Sequence, residues 1–228
     1  MWSPLAPPPS PRLSPEDWAA AGRALQFRGH SIFAIDSGPP DGDALLLIHG
    51  FPTSSWDWEA VWPSLVAHYR VLAFDLLGFG QSAKPRDYWY SMFEQADLAE
   101  HVLTSHGVAA YHVLAHDYGD TVAQELLARA REPGSRPRLE SVAFLNGGLF
   151  PETHRPALIQ RLLRSPLGPL VARLTTREAL ASNLRRIFGA NTPPDDALID
   201  GFWSLMERNG GREAMPRLIR YIDERRAH

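Results

Sequence analysis

The sequence predicts an α/β protein: a mostly parallel sheet with helices on both faces, followed by an all-helical layer. Three observations predict it. Short apolar runs (Ala44 to Ile48, Val71 to Phe74, His112 to Ala115 and Val142 to Leu145) read as strands, and the continuous run Ala44 to Ile48 is what a strand buried on both faces requires. Segments of helical spacing alternate with these runs, and strands that alternate with helices pair in parallel. After Phe150 only helical segments follow, with loops at Ser165-Pro166-Leu167-Gly168-Pro169 and Asn191-Thr192-Pro193-Pro194 and no further strand before His228.

In chain order, the opening MWSPLAPPPSPRLSP is rich in proline and has no apolar run of signal-peptide length. Residues 1–14 read as a polyproline-like arm. Ala24 to Arg28 and Ser31 to Ile35, on either side of Gly29-His30, read as a hairpin of edge strands. Pro39-Pro40-Asp41-Gly42 is a turn. The run Ala44 to Ile48 enters the loop His49-Gly50-Phe51-Pro52-Thr53. Ser54-Ser55 then cap a helix on which Trp56, Trp58, Val61, Trp62, Leu65 and Val66 recur. The strand Val71 to Phe74 ends in Asp75-Leu76-Leu77-Gly78-Phe79-Gly80-Gln81-Ser82. Helices are expected from about Met92 to Ser105 and over Thr121 to Ala130, with strands at His112 to Ala115 and Val142 to Leu145, the last ending at Asn146-Gly147-Gly148. The organisation is an arm (1–14), a core (15–150) and an all-helical cap (151–228) inserted after the sixth strand.

A chain of 228 residues buries a substantial core, and 44% hydrophobic with 21% charged residues is ordinary for a globular enzyme. A net charge of -3, with Arg185-Arg186 and Arg225-Arg226 as isolated basic pairs, argues against nucleic acid as a partner. The absence of cysteine excludes disulfides, thiolate catalysis and thiolate zinc sites, and fits a reducing compartment. No stretch approaches the roughly 18 apolar residues that span a bilayer. The expectation is a cytoplasmic protein with a small-molecule substrate and neither membrane nor nucleic acid as partner.

The chemistry concentrates in Val113-Leu114-Ala115-His116-Asp117-Tyr118-Gly119-Asp120. A buried strand runs into a polar residue between small neighbours, Ala115 and Gly119, and a helix follows: the setting of a nucleophile elbow, with Asp117 where many hydrolases carry serine. The alternative for Asp117 alone is a helix N-cap. Two other segments favour the elbow. His49-Gly50-Phe51-Pro52 leaves a buried strand where an oxyanion loop would lie, so the backbone N–H groups of Phe51 and Tyr118 are the expected oxyanion-hole donors. Asp75 to Ser82 is glycine-rich but lacks the Gly-Lys-Ser/Thr ending of a phosphate loop. All three segments sit at the carboxyl ends of consecutive strands, where such sheets bind ligands.

These motifs resemble the α/β-hydrolase branch containing epoxide hydrolases and haloalkane dehalogenases. A closer likeness is to the mesoderm-specific transcript proteins. It runs from about residue 24 to the end and rests on His49 to Ser55, Leu77-Gly78-Phe79-Gly80, His116 to Asp120 and Asn146 to Pro156. The resemblance implies an α/β-hydrolase fold with a helical cap. It also implies an Asp117 nucleophile that forms an alkyl-enzyme ester with an epoxide or a carbon–halogen compound, with no metal or organic cofactor. A carboxylate attacks saturated carbon better than carbonyl carbon, and a histidine-activated water then hydrolyses the ester. Dehalogenases of this branch carry tryptophan after the nucleophile and often asparagine or glutamate after His-Gly, whereas this chain has Tyr118 and Phe51. Epoxide hydrolases use cap tyrosines as proton donors, and Tyr221 is the tyrosine placed in the cap. The reading is epoxide hydrolase-like; the alternatives are a haloalkane dehalogenase-like enzyme or an inactive small-molecule-binding fragment.

His49, Asn146, Trp203 and Tyr221 are the candidates for the substrate pocket. The family's general base, a histidine after the last strand, and its partner acid after the seventh strand have no counterpart before His228, so the chain reads as C-terminally truncated. His154 is the weak substitute. His116 reads as structural, His49 as a loop-bonding residue, and His228 as a terminal one. Asn146 stands where some relatives place an acid.

Overall fold

The computed structural model describes residues 13–132, 134, 136–153 and 155–227. Six strands form one sheet in the order β1-β2-β4-β3-β5-β6: β1 Arg23–Phe27, β2 His30–Ser37, β3 Ala44–Ile48, β4 Arg70–Phe74, β5 Ala110–His116 and β6 Arg138–Leu145. β1, β2 and β4 pair antiparallel, while β4, β3, β5 and β6 run parallel. Every residue of β3 is buried, as a strand covered on both faces requires. The hairpin is where it was expected, but only β1 is an edge. β2 pairs on its far side with β4, Ala34 opposite Phe74. Its four consecutive buried residues, Ile32 to Ile35, mark an inner strand.

Helix α1 (Pro15–Ala21) was not anticipated from the sequence. Ser14 caps it by accepting from the Asp17 N–H, and its single large apolar residue, Trp18, is buried and donates to Ser55 Oγ at 3.0 Å. The carbonyl of Leu13 accepts from Trp56 Nε1 at 2.9 Å, so the expected arm is already fixed at its last two residues. The rest of it, residues 1–12, lies outside the described residues.

The tryptophan-rich segment is two pieces rather than one helix: a 3-10 turn at Ser55–Trp58 and helix α2 at Trp62–Val66. Pro63 explains the break, because proline lacks an N–H and fits only the first turn of a helix. Helix α3 (Met92–Ser105) is capped by Ser91, and α4 (Tyr118–Arg129) begins three residues before the expected Thr121.

Every regular element described after β6 is helical: a 3-10 turn at Pro151–Thr153, then α5 (Leu158–Leu163), α6 (Gly168–Leu174), α7 (Arg177–Ile187), α8 (Asp196–Glu207), α9 (Gly211–Leu218) and α10 (Tyr221–Ala227). This layer packs on the loops at the carboxyl ends of β3 and β4. Phe202 of α8 meets the Trp56 ring edge-on at 5.1 Å. Glu224 of α10 accepts from Ser91 Oγ at 2.6 Å and the Met92 N–H at 2.7 Å, placing a negative charge at the positive end of α3. Arg225, buried, donates to the Gly148 carbonyl in the turn after β6.

Candidate active site

β5 delivers Asp117 directly into α4. The aspartate adopts φ 53 and ψ -110, a conformation that costs a non-glycine residue about 1–3 kcal/mol. Its N–H donates to the Leu145 carbonyl at 3.1 Å and its carbonyl accepts from the Asp120 N–H at 3.2 Å, which fixes the turn from both sides. Although Asp117 stands at the N-cap position, its side chain makes no capping bond. Oδ1 instead accepts the Phe51 N–H at 2.8 Å, the only hydrogen bond to this carboxylate among the described residues.

Close packing explains the small residues around the elbow. A Cβ on Gly119 would stand 2.4 Å from the Ile48 carbonyl oxygen, and one on Gly50 would stand 2.8 Å from Asp117 Cβ. Glycine at both places lets α4 and the β3 loop approach closely enough for Phe51 to reach Asp117.

Two tyrosines complete the surroundings. Tyr118 is buried between Phe79, with ring centroids 5.9 Å apart, and Tyr221, at 4.3 Å. Burial pushes both phenols above their ordinary range, and the charge of Asp117 adds to the effect at Tyr221. Both therefore stay protonated at neutral pH. Next to the elbow, His116 turns Nδ1 toward Asp57 Oδ2 at 3.9 Å, and this pairing raises its pKa. Asp57 also accepts from Thr53 Oγ1 at 2.6 Å, so this acid organises the loop beside Asp117. Asp120, buried one turn into α4, has its pKa pushed up to about 6 by burial, and its Oδ2 finds no hydrogen-bond partner among the described residues.

A cavity of about 540 Å³ lies between α5, α6 and α7 and reaches Phe51 and Pro52. Leu163, Val171, Leu180 and Met215 give it an apolar wall. Asp117 is not part of that wall: Phe51 is the residue that the cavity and the carboxylate share. A second hollow of about 360 Å³, lined by Asp43, Arg70, His112 and Glu140 among others, opens at the amino ends of β3 and β5, the end of the sheet remote from the elbow.

The structure thus brings together Asp117, Phe51, Tyr118 and Tyr221. It places three other candidates elsewhere. His49 is buried and committed at both ring nitrogens, with Nδ1 on the Gly50 carbonyl at 2.8 Å and Nε2 accepting the Leu76 N–H at 3.0 Å. Asn146 is exposed, with φ 55, because it forms the turn after β6 rather than a pocket wall. Trp203 lies under the Arg212 guanidinium, 5.4 Å from its ring centroid, and is absent from the cavity lining. His154 and His228 lie outside the described residues. The Asp57–His116 pair escaped the sequence reading because Asp57 sits among tryptophans with no motif around it.

A strained residue between a buried parallel strand and a helix, held by a backbone donor from the neighbouring strand's loop, defines a class of hydrolases. This chain belongs to that class: the family model of the alpha/beta hydrolase fold matches residues 43–202. It is 41% identical to the mesoderm-specific transcript homolog protein of Bos taurus over 230 residues, covering 96% of this chain and 68% of that protein. It is 40% identical to LipZ of Mycobacterium tuberculosis, a hydrolase by name, over 215 residues, covering 94% and 74%. Among solved structures, Cfl2 from Burkholderia cenocepacia superposes with a TM-score of 0.77 at 27% identity, over 90% of this chain and 72% of that one. Epoxide hydrolase CorEH, at 20% identity, and haloalkane dehalogenase DbeA from Bradyrhizobium elkani, at 23%, share the fold with TM-scores of 0.70 and 0.71. They cover 90% and 88% of this chain, which covers 74% and 69% of theirs.

Proposed function

We propose that the protein is an epoxide hydrolase-like enzyme in which Asp117 is the nucleophile, set in a core of residues 15–150 beneath a helical cap of residues 151–228. The observation that carries this reading is the under-bonded carboxylate: Asp117 is strained, does not cap its helix, and its carboxylate has a single hydrogen bond among the described residues, from Phe51. A carboxylate with free lone pairs can displace a leaving group from saturated carbon.

In the first half-reaction an Asp117 oxygen bonds to an epoxide carbon and the ring C–O bond breaks. The released alkoxide takes a proton from the Tyr221 phenol, which burial and the neighbouring Asp117 charge keep protonated. The product is an ester of Asp117. Its carbonyl oxygen is then polarised by the N–H groups of Phe51 and Tyr118, which favours attack by water on that carbonyl. A phenol beside the nucleophile suits an epoxide, whose leaving oxygen needs a proton, better than an alkyl halide, whose leaving group needs none.

Hydrolysis of the ester needs a base. Among the described residues, His49 is committed to loop backbone and His116 to Asp57. The step that Asp117, Phe51, Tyr118 and Tyr221 support is the first half-reaction, formation of the ester. Intact-mass spectrometry with peptide mapping, after exposure to a reactive aryl epoxide, should show the added mass of one substrate on Asp117. Asp117→Asn should remove the adduct, and Tyr221→Phe should slow its formation by about 100-fold. An adduct on another residue, indifferent to Asp117→Asn, would refute the assignment, as would sustained turnover by Asp117→Asn.

A further inference from the structure

Helices α5 to α7 present an unusual surface. Seven of the thirteen large hydrophobic residues exposed among the described residues fall between positions 158 and 187, so the exposure is concentrated and not scattered. The most open are Leu158, Leu167, Leu174 and Ile187, between 60% and 70% exposed. The same stretch is basic: residues 155–187 contain seven arginines and one acid, Glu178, in a chain whose net charge is -3. Arg164, Arg177 and Arg185 are paired with Asp223, Asp200 and Asp196. The other four, Arg155, Arg161, Arg173 and Arg186, are exposed and have no ion pair among the described residues. Helical spacing sets Arg161 beside Leu158 on α5 and Arg173 beside Leu170 on α6, three residues apart in each case.

We propose that this face docks on the surface of an anionic phospholipid bilayer. Leucine side chains enter the boundary between headgroups and acyl chains, and arginines reach back to lipid phosphates along their own apolar stems. A second copy of the chain is a poor occupant, because the face would meet its own positive charge. Nucleic acid would satisfy the arginines and leave the leucines in water. The absence of a membrane-spanning helix among the described residues bears on crossing a bilayer and not on lying against one. Ile159, Leu174 and Arg186 belong both to this face and to the wall of the 540 Å³ cavity, so a docked protein would open that cavity toward lipid. The docking does not depend on the chemistry assigned to Asp117.

The test is co-sedimentation of the 228-residue chain with phosphatidylcholine vesicles, with and without about 30% phosphatidylglycerol. Binding should need the anionic lipid and fall at least tenfold as salt rises from about 50 to about 500 mM. The triple substitution Arg161→Ala, Arg173→Ala and Arg186→Ala should weaken partitioning on the order of 100-fold. Leu170→Ser with Leu174→Ser should weaken it about tenfold or more without unfolding the protein, since both side chains are exposed. Arg138→Ala, at the opposite end of the sheet, should leave it unchanged. Equal binding to neutral vesicles, no binding, or substituted proteins that bind like the parent would each overturn the proposal. So would a dimer in solution that the leucine substitutions dissolve, because the face would then belong to a second copy.

Discussion

Asp75 and Asp117 occupy equivalent places. Each stands at or just beyond the carboxyl end of a parallel strand, β4 and β5, and each begins a loop or helix at the same end of the sheet. Their bonding is opposite. Asp75 is 1% exposed, its Oδ1 accepts the Ser55 N–H at 2.7 Å, its Oδ2 accepts the Gln81 N–H at 2.6 Å, and its carbonyl takes the Ser82 hydroxyl at 2.6 Å. Asp117 has one donor on its carboxylate among the described residues and a strained backbone. Residue type and position along a strand do not separate a structural acid from a reactive one; the lone pairs left open do. Asp75 ties two loops together, and Asp117 keeps lone pairs open, as the nucleophile proposed above requires.

The largest expected effect tests that contrast directly. Asp75→Ala strips one buried and one half-buried N–H group of their acceptor, at about 1–3 kcal/mol for the buried one and less for the other, so urea unfolding should show a loss of roughly 3 kcal/mol. Asp117→Asn should move stability by less than about 1 kcal/mol while abolishing alkylation. Equal losses in the two would break the comparison. Next in size, Gly119→Ala drives a methyl toward the Ile48 carbonyl and should cost about 1–3 kcal/mol as overpacking. Because it also forces α4 away from the β3 loop, alkylation of Asp117 should fall with it. A destabilised protein that still alkylates at the parent rate would show that the Phe51 contact does not matter.

Asp120, a third carboxylate, sharpens the comparison by lying between the two. It is buried like Asp75 but has a weaker set of donors, with Oδ1 3.4 Å from the Leu145 N–H and Oδ2 without a partner among the described residues. Its folded pKa, about 6, stands above the ordinary 3.8, so folding favours the protonated form. The resulting stability is present in full below the unfolded value and is lost as pH rises through about 6. Asp120→Asn should therefore match the parent near pH 4 and exceed it by on the order of 2 kcal/mol above pH 7. Thermal melts across that range check it; a variant that is less stable at pH 8 than the parent would mean the charge is compensated after all.

Part of this was legible in the sequence because burial on both faces leaves a continuous apolar run, as in Ala44 to Ile48. The strand before Asp117 alternates buried and half-buried residues, and there the small-x-Asp-x-Gly spacing marked the strand-to-helix turn. What escaped depends on partners distant in sequence. Helix α1 has one large apolar residue, Trp18, and its partner is Ser55, 37 positions away. The inner position of β2 depends on a pairing with β4 that no local pattern announces. His49, Asn146 and Trp203 were plausible by neighbourhood, yet side-chain direction decides such cases: His49 spends both nitrogens on backbone, and Trp203 faces Arg212. Asp57 carries no motif, so its pairing with His116 became visible only in space.

The bracing of the β3 loop also has a consequence for the order in which the chain is made. Leu13, Trp18, Ser55, Asp75, Gln81 and Ser82 brace the loop that carries Phe51, and all of them precede Asp117 in sequence. During synthesis from the N-terminus, every member of that brace leaves the ribosome before the nucleophile candidate does. The elbow is closed later, when the Leu145 carbonyl becomes available to the Asp117 N–H. The donor is thus made ahead of the carboxylate it holds, and the strained turn can form against a partner that is already in place.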